Sequence, residues 1–169
     1  IRLAEQTGCT VHIQHISTKE AVELIRDARK SGIPISGEAT PHHIVLTDSD
    51  VDINNPTLKV NPPLRTQRDK EAVIEGVMDG TIQVLATDHA PHTSADKAKS
   101  FLQAPFGEIG LETAIGITYT TLVRNNLMSI SDWISRWTIG PANILGLEIP
   151  GLSPGSTADI TILDLDREW

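Results

Sequence analysis

The chain has 169 residues, enough for one ordinary domain with a buried core, and a formal net charge of −8 without a cluster of basic residues. This charge argues against nucleic acid and anionic membrane surfaces as partners, and no apolar run approaches the roughly 20 residues that span a bilayer. Cys9 is the only cysteine, so an internal disulfide is impossible and a reducing, cytoplasmic location is expected.

The first part of the chain alternates predicted helices and strands. Residues 1–6 have the pattern of a helix end, and residues 11–16 have that of a strand. Residues 17–20 match a capping box that begins the next helix, which is predicted to end at Gly32. A second strand is predicted over 33–38.

A long connection that contains four prolines occupies residues 40–66. Connections of this length in compact domains are usually functional or disordered. Residues 66–69 match a second capping box, the helix that follows is predicted to end at Gly80, and a third strand is predicted over 82–86. Strands separated by single helices at this spacing indicate βαβ units and a parallel sheet.

The rest of the chain is predicted to be mostly helical. We predict a loop over 93–110, helices over 111–124 and 131–138, a short helix near Pro141, a turn over 151–155 and a strand over 160–165. The chain starts within a predicted helix and stops just after a predicted strand. We therefore expect it to be a piece of a longer protein.

The third predicted strand ends in Asp88 and His89, with His92 in the loop beyond. In α/β barrels the chemistry lies where such strands end, and a carboxylate with imidazoles there can bind a divalent metal and transfer protons near neutral pH. Adjacent Asp88 and His89 cannot both face inward, and Asp88 is the better candidate. A helix-capping carboxylate and a solvated loop histidine are the alternatives for Asp88 and His92. The pattern indicates a metal-assisted hydrolase.

Two histidines lie on the first predicted strand. His12 and His15 are three residues apart, so they are expected to face opposite sides, and only one can point into a site. His15 lies at the end of the strand and is therefore favoured as a metal ligand. The alternative for His15 is an ordinary hydrogen-bonded polar residue.

The second strand and the connection after it carry further polar groups. The side chains of adjacent His42 and His43 are expected to diverge, which disfavours binding of one metal ion by both. Glu38 either orients its neighbours or is an ordinary charged residue at the end of a strand. The segment Asn61-Pro-Pro-Leu-Arg65 is stiffened by its prolines. It can hold the Asn61 amide in place for an imide or ureide edge, or it is simply a rigid connector.

Four motifs follow one another along the chain: His12-Ile-Gln-His-Ile-Ser-Thr18, Glu38-Ala-Thr-Pro-His-His43, Asn61-Pro-Pro-Leu-Arg65 and Ala86-Thr-Asp-His-Ala-Pro-His92. In this order they resemble the motifs of bacterial class I dihydroorotases, which belong to the metal-dependent amidohydrolase superfamily of distorted (β/α)₈ barrels. Segments 104–112, 140–146 and 155–160 are also similar to this family. The resemblance covers essentially the whole chain.

The resemblance implies an α/β fold, a partial (β/α)₈ TIM-like barrel with strands six to eight plus part of a C-terminal small β domain. A complete barrel typically needs about 250 residues, more than this chain contains. We expect residues 1–146 to form the C-terminal part of the amidohydrolase barrel and residues 147–169 to begin the β-rich segment. The family's first-strand His-x-His pair, bridging carboxylate and fifth-strand histidine have no counterpart here and would precede Ile1.

The resemblance also implies roles for individual residues. His15 and Asp88 correspond to metal ligands, and Asp88 corresponds to the catalytic acid/base as well. Substrate contacts are implied for Asn61, His92, and the backbone of Phe106 and Gly107. The implied cofactor is zinc, binuclear in the complete enzyme and partial or absent in this chain.

The implied reaction interconverts N-carbamoyl-L-aspartate and (S)-dihydroorotate in pyrimidine biosynthesis, and this chain alone is expected to be inactive. Expected partners are the small-molecule substrate, the missing N-terminal half of the barrel, and either a second copy of the protein or aspartate transcarbamoylase. Two alternatives stay open. One is another cyclic amidohydrolase, an allantoinase or a dihydropyrimidinase. The other is a non-catalytic dihydroorotase-like scaffold module.

Overall fold

The computed structural model describes residues 1–168, and within them a small parallel sheet lies among helices. Its strands are β1 (Val11–Ile13), β2 (Ile35–Ala39) and β3 (Val84–Leu85), in the spatial order β1-β2-β3. Val11 pairs with Ile35, and Glu38 pairs with Val84. The predicted parallel sheet of successive βαβ units is therefore present.

Helices make up most of the remaining regular structure. They are α1 (Arg2–Thr7), α2 (Lys19–Lys30), α3 (Pro41–Val45), α4 (Gln67–Asp79), α5 (Ser94–Lys97), α6 (Ala114–Thr118), α7 (Ile130–Trp137) and α8 (Ile139–Leu145). Short 3₁₀ helices lie at Asp48–Asp50 and Pro56–Leu58, and a π-helix at Tyr119–Arg124 continues α6. None of the helices in residues 1–168 has both the length and the apolar composition that spanning a lipid bilayer requires.

The two long helices begin at capping residues that satisfy free backbone N–H groups. At α4 the predicted capping box is present, because the Thr66 hydroxyl accepts from the Asp69 amide and the Asp69 carboxylate accepts from the Thr66 amide. Gly80, at φ 81°, ends this helix in the left-handed conformation that glycine adopts without steric cost. At α2 the prediction was one residue early, since Thr18 is the capping residue and accepts from the Ala21 amide.

The core surrounds the central strand β2, all five residues of which are buried. Its members come from β2, β3, the helices α2, α3, α4 and α7, the π-helix and nearby loops, and include Val22, Ile25, Val73, Val77, Ile82, Leu85, Leu122 and Trp133. The Trp133 indole is 1% exposed and donates to the Thr118 hydroxyl over 3.0 Å, so its polar atom is satisfied inside the core. Burial on both faces is typical of strands in parallel sheets, and it fixes the carboxyl ends of β2 and its neighbours.

Several predicted boundaries differ from the structure. β1 ends at Ile13 rather than residue 16, because His15 has a positive φ of 54° that a strand cannot accommodate. The connection over 40–66 contains α3, which Thr40 caps by accepting from the His43 amide. The predicted helix over 111–124 is a short α-helix followed by the π-helix.

The end of the chain also differs from the prediction. No strand forms over 160–165 in the part of the chain that the structure describes, because no other strand lies beside this segment to pair with it. Trp169, the last residue of the predicted segment 147–169, lies outside the described residues. The division of the chain at residue 146 stays a prediction.

Candidate active site

Side chains from the ends of β1 and β3 meet at one edge of the sheet. The His15 Nε2 atom lies 3.4 Å from the Asp88 Oδ1 atom. Both residues have positive φ, 54° and 48°, a region where histidine and aspartate are more common than most other residues. This backbone conformation turns each side chain away from the alternation of a strand. The structure therefore brings the two predicted metal ligands together.

Glu38, at the carboxyl end of β2, lies between two imidazoles. Its Oε2 atom is 3.0 Å from His12 Nε2, and its Oε1 atom is 2.7 Å from His15 Nδ1. The expectation that His12 and His15 face opposite sides is wrong, because β1 ends before His15 and the positive φ of that residue breaks the strand alternation. Of the two readings left open for Glu38, the structure supports the orienting one.

His42 lies near the other carboxylate oxygen of Asp88. It lies in α3, is 3% exposed, and places Nε2 3.9 Å from Asp88 Oδ2 and Nδ1 2.8 Å from Glu108 Oε1. Within residues 1–168, neither ring nitrogen makes an in-line hydrogen bond, so the short approach to Glu108 is an off-axis polar contact. Asp88 is thus flanked by two imidazoles.

His43 faces different partners, although its ring centroid is only 4.4 Å from that of His42. Its Nε2–H donates to the Pro62 carbonyl over 3.1 Å, and its Nδ1 accepts from the Thr40 hydroxyl over 2.7 Å. Burial, reinforced by the neighbouring His42, lowers the pKa of His43 from 6.5 to about 4. A neutral His43 therefore ties α3 to the Asn61-Pro62 segment, in which the Asn61–Pro62 peptide bond is cis.

The predicted substrate contacts His92, Phe106 and Gly107 form one cluster in the loop after β3. The His92 Nε2–H donates to the Phe106 carbonyl over 2.8 Å. The Gly107 amide donates to the Lys59 carbonyl over 2.9 Å, which brings the loop beside the segment that leads to Asn61. Gly107 has φ +127°, and a Cβ atom there would lie 2.5 Å from the Ala90 carbonyl oxygen. Only glycine suits this position.

Two lysines join this loop to the 3₁₀ helix before Asn61. The Lys97 ammonium donates to the carbonyls of Pro56 over 3.0 Å and Pro105 over 3.2 Å, and partial burial lowers the pKa of Lys97. The Lys59 ammonium donates to the Ala104 carbonyl over 2.6 Å and lies 4.5 Å from the centroid of the Phe106 ring. These bonds hold the backbone of the loop over 104–105 against the 3₁₀ helix and the residue that follows it.

Glu108 links the loop cluster to Asp88 through His42, a role that was not predicted from the sequence. Its backbone carbonyl accepts from the Ala90 amide over 2.9 Å, which fixes Glu108 directly beside the strand-end segment. His89 faces away from Asp88, since its Nδ1 accepts from the Gly110 and Leu111 amides. The only signal in the sequence for His42 was its place in the Thr-Pro-His-His motif.

His15 and Asp88, at the carboxyl edge of the sheet, have the geometry of part of a metal site. Two ligands of one tetrahedral zinc, each about 2.0–2.1 Å from the ion, are separated by about 3.3 Å, close to the 3.4 Å between His15 Nε2 and Asp88 Oδ1. Nitrogen and carboxylate oxygen are both ordinary zinc ligands. No group of three or more His, Cys, Asp or Glu side chains that could hold a metal occurs in residues 1–168. The described residues therefore offer an incomplete ligand set.

The sequence and the fold both match known hydrolases. A family model described as "Amidohydrolase family" matches residues 1–168. The chain therefore belongs to the amidohydrolase family. Members of this family are generally metal-dependent. A dihydroorotase from Geobacillus sp. (strain WCH70) is 50% identical over 168 residues, and one from Bacillus cytotoxicus is 49% identical over the same length. In each case the alignment covers 99% of this chain and 39% of the relative.

Similar solved structures agree with the family match and place the chain in the TIM-barrel superfamily to which amidohydrolases belong. The L-hydantoinase (dihydropyrimidinase) of Arthrobacter aurescens aligns with a TM-score of 0.80 and 29% identity, covering 86% of this chain and 33% of that one. The dihydroorotase of Saccharomyces cerevisiae in complex with 5-fluoroorotic acid aligns with a TM-score of 0.78 and 19% identity, covering 87% and 41%. The resemblance to dihydroorotases is confirmed, and the chain spans about two fifths of the length of these curated relatives.

Proposed function

We propose that the chain is a piece of a zinc-dependent dihydroorotase that interconverts N-carbamoyl-L-aspartate and (S)-dihydroorotate. The observation that carries the proposal is the 3.4 Å approach of His15 Nε2 to Asp88 Oδ1 at the carboxyl edge of the sheet. The 50% identity to the Geobacillus dihydroorotase supports this substrate over a hydantoin, because the L-hydantoinase is only 29% identical.

In this proposal β1, β2 and β3 are strands six to eight of the barrel. Residues 1–146 would be the C-terminal part of the barrel, and residues 147–169 would begin a small β domain. The remaining strands would come from the missing N-terminal part of the protein. They would supply the rest of the metal ligands, which the described residues do not contain.

His15 Nε2 and an oxygen of Asp88 would hold zinc in the assembled protein. When bound, the ion would polarise the ring carbonyl and activate the attacking water. The two ligands belong to different strand ends and are held in unusual backbone conformations. The core fixes this geometry before any ligand binds, so little reorganisation is needed to bind the ion.

Asp88 would transfer the proton in the hydrolytic direction. Its carboxylate would accept a proton from the attacking water and deliver it to the ring nitrogen as the amide C–N bond breaks. His15 Nε2 lies 3.4 Å from Asp88 Oδ1 and His42 Nε2 lies 3.9 Å from Asp88 Oδ2, so each carboxylate oxygen has an imidazole nearby. A positioned proton carrier contributes a factor of about 10²–10⁴ to the rate.

The loop cluster would hold the heterocycle. Asn61 and His92 would hydrogen-bond its polar edges, and the backbone of Phe106 and Gly107 would contact it next to them. The peptide between Phe106 and Gly107 is already bonded within the protein, its carbonyl to His92 and its amide to the Lys59 carbonyl, so the Phe106 amide and the Gly107 carbonyl would be the groups that contact the substrate. We include in the proposal a cytoplasmic location and association with a second copy or with aspartate transcarbamoylase.

The experiment is a substrate panel on the full-length protein loaded with zinc. We expect turnover of dihydroorotate to exceed that of hydantoin, dihydrouracil and allantoin by at least about 100-fold in kcat/KM, equal to about 3 kcal/mol of transition-state discrimination. Preference for another ring would contradict the proposed substrate. A zinc-loaded protein that is inactive on every ring would favour the scaffold alternative.

A zinc titration of the 169-residue chain tests whether the missing part completes the site. We expect weak binding and no turnover, since two donors are too few for a stable structural or catalytic site. Rapid hydrolysis of dihydroorotate by this chain alone would contradict that division of the ligands.

A further inference from the structure

Glu38 is a buried carboxylate whose two oxygens contact two different histidines. It is 6% exposed, and it lies 2.7 Å from His15 Nδ1 and 3.0 Å from His12 Nε2. Burial of a carboxylate is costly unless donors surround it. The buried Glu38 carboxylate is therefore stabilised when the histidine nitrogens that face it carry protons.

The contact with Glu38 influences which nitrogen of His15 carries the proton. Two acceptors without a proton between them repel each other at 2.7 Å, so the contact with the Glu38 Oε1 atom favours the tautomer of His15 that carries its proton on Nδ1. The N–H points off the line to the oxygen, and the contact is mainly an electrostatic one. The other nitrogen, Nε2, faces Asp88 Oδ1 at 3.4 Å. A neutral His15 thus directs its lone pair toward a second carboxylate, an arrangement that a cation between them stabilises.

His12 holds Glu38 in this position. The His12 Nε2–H donates to Glu38 Oε2 over 3.0 Å, and the His12 Nδ1 atom then accepts from the Ser36 hydroxyl over 2.8 Å. His12 is bonded at both nitrogens, so it does not compete with His15 for a metal. The chain of contacts runs from Ser36 through His12 and Glu38 to His15.

We propose that Glu38 is a positioning residue that keeps the proton of His15 on Nδ1 and so leaves Nε2 free to bind a metal ion. The inference rests on the proposed function only in taking His15 as a metal ligand. Outer contacts of this kind change metal affinity by about 10–100-fold in other metalloproteins.

The test compares variants of the full-length protein by their affinity for Zn²⁺ and Co²⁺, measured by competition with a chelator. Glu38→Gln keeps the shape and removes the charge, and we expect metal affinity to fall about 10–100-fold. Glu38→Asp keeps the charge but is shorter, and we expect an intermediate loss. Glu23→Gln is the matched control, because Glu23 is half exposed on α2 and, within residues 1–168, its one ion pair is with Lys19. We expect it to bind metal as the unmodified protein does.

A second measurement uses the unmodified protein and does not depend on the folding of any variant. Nitrogen-15 NMR of the zinc-loaded protein reports which nitrogen of His15 carries the proton, and we expect Nδ1–H with zinc on Nε2. Zinc on Nδ1 would overturn the proposal, and so would unchanged metal affinity in a folded Glu38→Gln variant. Both readouts measure binding, so a protein that binds zinc through His15 but does not hydrolyse dihydroorotate would contradict the proposed function alone.

Discussion

The Nε2 atom of His15 lies 3.4 Å from Oδ1 of Asp88, and both residues have left-handed backbone conformations. Such a conformation costs a residue other than glycine about 1–2 kcal/mol. The surrounding core holds both residues in place against this cost. Unfavourable backbone geometry at two facing residues is typical of a functional site, where packing elsewhere offsets the strain.

Asp88→Asn removes the charge and the proton acceptor while keeping the backbone conformation, because asparagine tolerates positive φ. We expect kcat of the full-length protein on dihydroorotate to fall by about 10³-fold, with the free energy of unfolding changed by less than about 1 kcal/mol. Asp27→Asn, at an exposed site on α2, is the control and should leave both quantities unchanged. Retention of a tenth of the activity in Asp88→Asn would contradict the assigned role.

Gly107→Ala tests the backbone geometry of the loop after β3, which is proposed to contact the substrate. The added Cβ would lie 2.5 Å from the Ala90 carbonyl oxygen and 2.7 Å from the Ala90 Cβ, at a φ of +127°. We expect the loop to shift, KM for dihydroorotate to rise at least about tenfold, and stability to fall by about 1–3 kcal/mol. Gly8→Ala is the control for positive φ, since it has open space around its Cβ position. A Gly107→Ala enzyme with unchanged KM would show that the loop does not contact substrate.

Lys97→Met removes the ammonium that joins the loop to the carbonyls of Pro56 and Pro105 while keeping much of the aliphatic stem. Leaving these carbonyl groups without their charged donor should lower the free energy of unfolding by about 1–3 kcal/mol. We expect faster cleavage by protease over residues 98–106 and a KM about tenfold higher, with kcat changed less than twofold. Lys97→Arg keeps the positive charge, so its protease resistance and its KM should lie between those of Lys97→Met and those of the unmodified protein. Lys99→Met removes an exposed ion pair with Asp96 and should behave like the unmodified protein.

His43 makes stability depend on pH. Its pKa is about 4 in the folded protein and 6.5 when unfolded, so between these values the unfolded chain binds the extra proton. The stabilisation is complete above about pH 6.5 and is lost as the pH falls toward 4, by about 3 kcal/mol. Urea unfolding of the full-length protein from pH 4 to 7 measures this slope.

In His43→Asn the slope over this range should be smaller, whatever the absolute stability of the variant. His89→Asn, at an exposed histidine, provides the comparison. Equal slopes in His43→Asn and the unmodified protein would show that another group carries the pH dependence.

Local features of the fold could be predicted from the sequence because they depend on neighbouring residues. The Thr66–Asp69 capping box and the Gly80 helix end follow from hydrogen bonds and backbone preferences within a few residues. The alternation of strands and helices likewise predicted the parallel sheet. The strand over 160–165 was predicted wrongly, because a strand forms only where another is available to pair with it.

The position of Asp88 at the end of a buried strand followed from the sequence alone, since parallel strands present their ends at one edge. The contacts around it were decided only by the tertiary structure. Glu38 lies between His12 and His15 because β1 ends early and His15 adopts positive φ, and Glu108 reaches His42 because the loop folds back beside β3. Such contacts join residues far apart in the chain, and a spacing pattern contains no information about the path that brings them together.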